Sequence, residues 1–272
     1  MSYDFNTSNI AEFRANRGRV AMFGDSRLLL LTTIGARSGR PHTTILGFVP
    51  DEGNRLLVIA SAGGADTHPA WYHNVRANPD VTIEDGIFTY PGVAEVLGGA
   101  ERDRVFARIV EVQPGYGDYQ RKTSRVLPVV ALRNAQEGPP RAGNSFGETL
   151  KAIHDSFRRE LAIIRNEVAG AGPRIGAQLR INCLALCGGL HNHHRGEDLG
   201  IFPAVLVKNP ELAPVVERLR AEHETVARLI GELEAAIRTD NPLPQVEALI
   251  AELEAHLRYE EETIVPALSA PA

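Results

Sequence analysis

The sequence predicts two domains of different class: an α+β unit over residues 1–134, and an all-α four-helix up-down bundle over residues 146–272. Three observations carry this. Short runs of β-branched and aliphatic residues, bounded by Gly, Pro, Asn or Asp, crowd the first half and read as strands. Four longer stretches in the second half repeat apolar residues at alternating steps of three and four, the period of a buried helix face. Between them, 135–145 turns polar and rich in Gly and Pro, as a linker does. At 272 residues the chain is comfortable for two cores.

In the first half, strands are expected at Leu28–Ile34, Thr43–Val49, Leu56–Ser61, Val81–Ile83 and Val126–Leu132. Helices are expected at Asn9–Arg17, Pro69–Ala77 and Ala100–Val112. Adjacent strands with few helices between them favour antiparallel pairing over a doubly wound sheet. In the second half, helices are expected at Phe146–Glu167, Gly176–Phe202, Pro210–Ile237 and Pro244–Ala267. The breakers at 169–173, 208–210 and 239–244 are short, so consecutive helices should be antiparallel neighbours.

Composition removes several classes of function. The 29 basic residues nearly balance 34 acidic ones, and a net charge of -5 argues against nucleic-acid binding through a basic face. The two cysteines, Cys183 and Cys187, lie one helical turn apart, unlike a secreted disulfide scaffold, and fit a reducing cytoplasm. Met1–Arg19 lacks a signal-peptide pattern, and the apolar run Leu28–Leu31 is too short to cross a bilayer, so neither export nor a membrane span is expected.

Six of the nine histidines lie in the second half, and four fall on its apolar stripes. His154 shares a face with Leu150, Phe157, Leu161 and Ile164. Leu179, Cys183, Leu186 and Leu190 run on into His193, Glu197 and Ile201. His223 sits among Val216, Leu219, Val226 and Ile230, and His256 and Glu260 among Leu249, Leu253 and Ile264. One such histidine alone reads best as a core residue satisfied by a neighbour. Four, with two glutamates, require cations, because an unpaired buried carboxylate costs several kcal/mol. Imidazole and carboxylate donors suit iron, manganese or zinc, and two glutamates able to bridge favour a dinuclear site.

An internal repeat sharpens this reading. His193, Glu197 and Pro203-Ala204 recur as His256, Glu260 and Pro266-Ala267, each displaced by 63 residues. Helices two and four of an up-down bundle run parallel, so both His-x-x-x-Glu pairs come to the same depth. From about Phe146 to Leu268 the pattern resembles the hemerythrin-like HHE cation-binding domain, whose members hold two irons through histidines and bridging carboxylates. The resemblance implies metal ligation by His154, His193, Glu197, His223, His256 and Glu260, with His194 a further candidate beside the stripe. His191 falls a turn behind and reads as solvated or supporting. Glu261 and Glu262 read as solvated, and the cysteines as small core residues.

The first half carries weaker motifs. The turn Gly35-Ala36-Arg37-Ser38-Gly39-Arg40-Pro41 offers two guanidiniums and backbone amides to a phosphate or carboxylate, though such a turn can be merely a hairpin. Ala60-Ser61-Ala62-Gly63-Gly64 closes a strand, and His68-Pro69-Ala70-Trp71-Tyr72-His73-Asn74 opens a helix. Small residues beside an aromatic pair suit a flat ligand, while Trp71 and Tyr72 by themselves read better as core. Tyr116-Gly117-Asp118-Tyr119 reads as a loop whose exposed phenols orient a substrate.

In order, these segments resemble the deazaflavin-dependent nitroreductase family from about Asn9 to Asn134: split β-barrel (FMN-binding-like) oxidoreductases that use coenzyme F420. The resemblance implies that Ala36, Arg37, Ser38, Gly39 and Arg40, with His42, Thr43, Thr44 and on to Gly47, line the phosphate and polyglutamate tail. Ile59, Ala60, Ser61, Ala62 and Gly63 would lie along the deazaflavin ring, as would Ala70, Trp71, Tyr72 and Asn74. Tyr116 and Tyr119 would be catalytic, facing the substrate. Ala62 stands where the family often has lysine, and Ile45 where it often has proline, so one cationic contact is missing.

Together the halves predict a fused redox protein. Its barrel would take hydride from reduced F420 and pass it to a small-molecule acceptor such as a quinone or nitro compound. Its bundle would bind O2, peroxide or NO at two iron ions. An iron-storage or gas-sensing protein with a degenerate barrel, or a barrel using FMN or FAD, are the alternatives. Split barrels commonly pair, so a homodimer is a further expectation.

Overall fold

The computed structural model describes residues 3–135, 146–171, 175–238 and 241–269. The linker expected at 135–145 lies, apart from Ala135, outside these residues, as do parts of the breakers at 169–173 and 239–244. The chain divides into two compact units, Met1–Ala142 and Gly143–Ala272.

Unit one is a closed six-stranded barrel in the order β1-β2-β3-β6-β5-β4. The strands are β1 (Leu28–Ile34), β2 (Pro41–Asp51), β3 (Arg55–Ile59), β4 (Asp80–Glu84), β5 (Thr89–Val96) and β6 (Val129–Asn134). All pairings are antiparallel, and β1 closes the barrel by pairing with both β2 and β4. Closure leaves no exposed sheet edge. Around the barrel lie α1 (Tyr3–Ala15), α2 (Ala70–Ala77), α3 (Gly99–Val112) and α4 (Gly115–Arg121). The split-barrel class expected from the sequence is the observed one.

Two elements of this unit differ from expectation. Strand β5 was not foreseen, since Pro91 and Gly92 interrupt its apolar run. It nonetheless alternates from Thr89 to Glu95, with Tyr90, Gly92 and Ala94 buried. Gly92 is required there, because a Cβ would stand 2.6 Å from Ile83 Cδ1 and 2.9 Å from the Arg133 carbonyl. The segment read as a loop at Tyr116–Tyr119 is helix α4, and its phenols are half-buried against Val49, Leu57 and Ile109 rather than exposed. With Pro114 before its first residue, the segment has a helix-compatible start that its glycines obscure.

Unit two consists of α5 (Phe146–Ala171), α6 (Ala177–Gly196), α7 (Phe202–Lys208), α8 (Ala213–Ala236), α9 (Leu243–Thr263) and the short α10 (Val265–Ser269). The long helices pack in a ring: α5 on α6, α6 on α8, α8 on α9, and α9 on α5. Arg165–Glu247, Arg158–Glu254 and His154–Glu261 step along α5 and α9 in opposite directions, so these two helices are antiparallel. Each stripe read from the sequence faces the interior: Leu150, Leu161 and Ile164; Leu179, Leu186 and Leu190; Val216, Leu219 and Val226; and Leu249, Leu253 and Ile264 are all buried.

The second helix is not continuous. Between α6 and α7, Glu197–Ile201 form one π-helical turn. Such a turn inserts a residue into the helical register, and it recurs at functional sites. Among the described residues, no helix is long and apolar enough to cross a membrane.

Candidate metal centre and barrel face

His193 and His194 lie four and three residues before Glu197, so ordinary helical spacing puts both beside it, and the π turn begins only at Glu197. Two overlapping sets of side chains result: His194, Glu197, His223 and His256; and His154, His193, Glu197 and Glu260. Within each set the donor atoms lie within 4.8 Å of one another, and Glu197 belongs to both. His194, left open by the sequence, is buried within the first set, whereas His191 is exposed.

The donor atoms face one another without hydrogen bonds. Nε2 of His154, His193, His194, His223 and His256, and both oxygens of Glu197 and Glu260, are buried with no hydrogen-bond partner among the described residues. Their approaches, 3.1 Å for His193 Nε2 to Glu197 Oε1 and 3.3 Å for His154 Nε2 to Glu260 Oε2, lack hydrogen-bond geometry. Buried polar atoms are almost always paired, so a set this large demands another partner. Lone pairs converging from five imidazoles and two carboxylates fit a divalent cation, and Glu197 belongs to both donor sets.

The opposite edges of three imidazoles are held by carboxylates. Nδ1 of His154 lies 2.9 Å from Glu261, that of His223 lies 3.1 Å from Asp198, and that of His256 lies 3.0 Å from Glu222. A carboxylate can only accept here, so Nδ1 carries the hydrogen and Nε2 turns its lone pair inward. Each carboxylate also has an arginine: Arg158 to Glu261 at 2.8 Å, Arg218 to Glu222 at 2.8 Å, and Arg220 to Asp198 at 3.7 Å. Arg218 stacks in turn on the Tyr259 ring, 3.6 Å from its centroid. Glu261, read from the sequence as solvated, is therefore a half-buried partner of His154, while Glu262 is exposed. The pairing of Asp198, Glu222 and Glu261 with histidines is not readable from the sequence, because each is adjacent to an inward-facing residue yet lies on the neighbouring helical face. Only interhelical geometry pairs them.

Without a cation the centre is electrostatically uneasy. Burial, then the Glu260 charge, pushes the Glu197 carboxyl well above its usual range. Burial, then neighbouring imidazoles, holds His193 and His194 well below theirs. The first direction is that of a carboxylate with no cation beside it, and the second keeps both imidazoles neutral with their lone pairs free. Cys183 and Cys187 are buried thiols outside both donor sets.

On the barrel, the turn after β1 is exposed from Ala36 through Arg40, and His42 beside it is exposed, while Thr43 and Thr44 are half-buried. Asn74, buried on α2, fastens this turn: the Ala36 N–H donates to Asn74 Oδ1 at 3.0 Å, and Asn74 Nδ2 donates to Thr33 Oγ1 at 2.9 Å. Ser38 Oγ lies 3.0 Å from His42 Nε2, and Thr32 Oγ1 2.7 Å from Thr43 Oγ1.

The second expected segment leaves β3 with Ile59 and Ala60 buried, Ser61 half-buried, and Ala62 and Gly63 exposed. Gly64 packs so closely on α4 that a Cβ would stand 2.9 Å from the Tyr119 carbonyl oxygen. Tyr116 and Tyr119 meet edge-on, with centroids 6.1 Å apart, and the Tyr116 hydroxyl adjoins Gly47. On α2, Ala70 is exposed, whereas Trp71 and Tyr72 are 5% and 7% exposed members of the barrel core, packed with Leu29, Val58 and Val81. Their rings support the face from beneath, as core aromatics do.

The geometry defines a split-barrel oxidoreductase fold in one unit and a histidine- and carboxylate-lined helical metal-binding fold in the other. Residues 6–134 match the family described as F420H(2)-dependent quinone reductase, and residues 145–268 match the hemerythrin HHE cation binding domain. An F420H(2)-dependent quinone reductase of Mycobacterium tuberculosis (strain ATCC 25618 / H37Rv) is 37% identical over 129 residues, covering 45% of this chain and 85% of that protein. A solved F420-H2 dependent reductase is 40% identical, covering 39% of this chain and 94% of its own, with a TM-score of 0.36. A solved chain described as a domain-swapped dimer is 38% identical, covering 47% and 93%, with a TM-score of 0.38. The chain belongs to the F420H(2)-dependent quinone reductase family, and residues 145–268, which follow in the sequence, match the hemerythrin HHE cation binding domain.

Proposed function

We propose that this protein oxidises reduced F420 at its barrel, reducing a quinone, a nitro compound or a similar electron-poor acceptor, and that its bundle holds two iron ions. In this reading the deazaflavin supplies a hydride when bound, and the irons supply one-electron chemistry and an open coordination position for O2, peroxide or NO. Arg37 and Arg40 grip the anionic tail as point charges on an exposed turn, and Asn74 holds that turn to α2. Ala60, Ser61, Ala62 and Gly63 let the backbone approach the flat ring closely, where larger side chains would stand it off. Tyr116 and Tyr119 orient the acceptor by hydrogen bonding. His154, His193, His194, His223 and His256 would hold metal through Nε2, and Glu197 and Glu260 would supply the negative charge.

The observation that carries the bundle's part is the convergence of buried, unpartnered imidazole nitrogens and carboxylate oxygens. The barrel's part is carried by membership of the quinone reductase family. The test is an anaerobic titration of iron-loaded, oxidised protein with reduced F420, following the cofactor absorbance and the iron charge-transfer bands together. Concerted changes make the two halves one electron-transfer unit. Iron bands that stay put while added quinone oxidises the cofactor leave the bundle a separate sensor or store. No cofactor oxidation with any acceptor overturns the enzymatic reading.

A further inference from the structure

One side chain near the barrel face makes more directed contacts than any motif in the sequence suggests. The Arg125 guanidinium donates to three backbone carbonyls of a single turn: Ala65 at 2.7 Å, Ser61 at 2.7 Å and Ala60 at 3.1 Å. Its Nη1 also lies 2.9 Å from His68 Nδ1. Arginine has no acceptor and stays charged, so His68 Nδ1 must be the acceptor in that contact. The imidazole hydrogen is thereby fixed on Nε2.

The turn so held is strained. Ala62, Gly63 and Gly64 follow one another with φ of 47°, 65° and 87°. A left-handed alanine is sterically disfavoured and persists only where its surroundings over-determine it. Here they do: Arg125 fixes the carbonyls on both sides, Gly64 is pressed against α4, and Thr123 Oγ1 donates to Asp66 at 2.9 Å. His68 is half-buried, its ring 4.8 Å from that of Tyr72. Desolvation, then the charges of Arg125, His73 and Arg76, hold its imidazole below the ordinary range and so keep it neutral.

We propose that Arg125 is a positioning residue of the barrel site: it sets the Ala60–Ala65 turn and locks His68 as a neutral Nε2–H donor for a ligand carbonyl oxygen. The inference rests on the barrel reading above and deepens it. It also gives the face a fixed cation in a region where Ala62 stands in place of the family's frequent lysine. A carbonyl occurs both on the deazaflavin ring and on a quinone, and the two sources are separable by experiment.

The test begins on the full-length protein without ligand, by nitrogen-15 NMR of the His68 ring. The expected signature is an unprotonated Nδ1 and a protonated Nε2, lost in Arg125→Ala. The second stage measures the dissociation constant of F420 by fluorescence and the KM for a soluble quinone. Arg125→Ala should weaken one of these by about tenfold to a hundredfold, the scale of a small misplacement of a site group. A loss in cofactor affinity assigns the carbonyl to the deazaflavin, and a loss in quinone KM assigns it to the acceptor.

Three further variants separate positioning from folding. Free guanidinium ion should restore Arg125→Ala, which a collapsed fold would not permit, while Arg125→Lys, with charge but no fork, should remain impaired. His68→Gln, whose amide N–H reaches the Nε2 position, should retain more function than His68→Asn. A wild-type His68 protonated on Nδ1, or an Arg125→Ala protein with unchanged affinity and KM, overturns the proposal. Wild-type protein that binds no F420 overturns the barrel reading and the ligand role with it, while the tautomer result still decides whether Arg125 locks His68.

Discussion

Nδ1 of His154 stands 2.9 Å from Glu261 Oε1, the same oxygen that Arg158 Nη1 holds at 2.8 Å. The carboxylate is thus engaged from two sides, once by the imidazole it orients and once by a guanidinium that prevents it from swinging inward. Such a partner acts on a metal only through the histidine. Glu261→Ala should lower metal affinity by about tenfold to a hundredfold, the usual loss when an orienting carboxylate is removed. The measurement is competitive titration of metal-free protein with zinc or cobalt(II), with circular dichroism confirming the helices. Unchanged affinity would show that bundle packing alone sets the His154 ring.

The centre also makes a prediction about stability. Each buried polar atom left unpaired costs about 1–3 kcal/mol, so the metal-free bundle carries a burden that bound cations lift. Chelation should lower the unfolding midpoint of the bundle and leave the barrel's unchanged, as two separate calorimetric transitions. Replacing both Glu197 and Glu260 by Gln removes the buried charges while keeping their shape. That double variant should unfold at a higher temperature than metal-free wild type and lose its response to metal. A metal-free double variant less stable than metal-free wild type would contradict the argument.

What was legible in the sequence follows from what is periodic. The four apolar stripes and the matched His-x-x-x-Glu pairs were readable because a helix converts spacing directly into a shared face, and Leu253, His256, Glu260 and Ile264 are all buried as the spacing requires. Strand β5 was not, because Pro91 and Gly92 mask an alternation that only the neighbouring Ile83 and Arg133 explain. The π turn escaped for a related reason. A single inserted residue leaves no composition signal, and it re-phases only the residues that follow Glu197. Arg125 was invisible because its partners, Ala60 to His68, lie about sixty residues upstream and it grips mainly backbone, which carries no residue code.

The two thiols give a prediction independent of any ligand. Cys183 and Cys187 are both fully buried, and burial, then Glu234 and Cys183, pushes the Cys187 thiol up to about 12. The thiolate is the reactive form, so native Cys187 is protected both by access and by protonation. Native protein near neutral pH should therefore show no reactive thiol toward a disulfide reagent over minutes, and two after denaturation in urea. Rapid reaction of the native protein would mean that α6 opens locally far more often than its packing implies.

Tyr116 allows the acceptor-orienting role to be tested by pH. Burial, then Tyr119, raises its phenol from an ordinary value near 10 to about 12. A raised value means that the folded state favours the protonated form. The associated stability is present in full below pH 10 and is lost as pH rises through 12. The phenol therefore remains a hydrogen-bond donor throughout the neutral and mildly alkaline range. Quinone reduction should show no alkaline limb attributable to Tyr116 below about pH 11. Tyr116→Phe should slow turnover about tenfold, the worth of one hydrogen bond of about 1–1.5 kcal/mol, with no change in the shape of the pH profile. If Tyr116→Phe turns over at the wild-type rate, the hydroxyl is packing beside Gly47, and the acceptor is oriented by Tyr119 or by His68 instead.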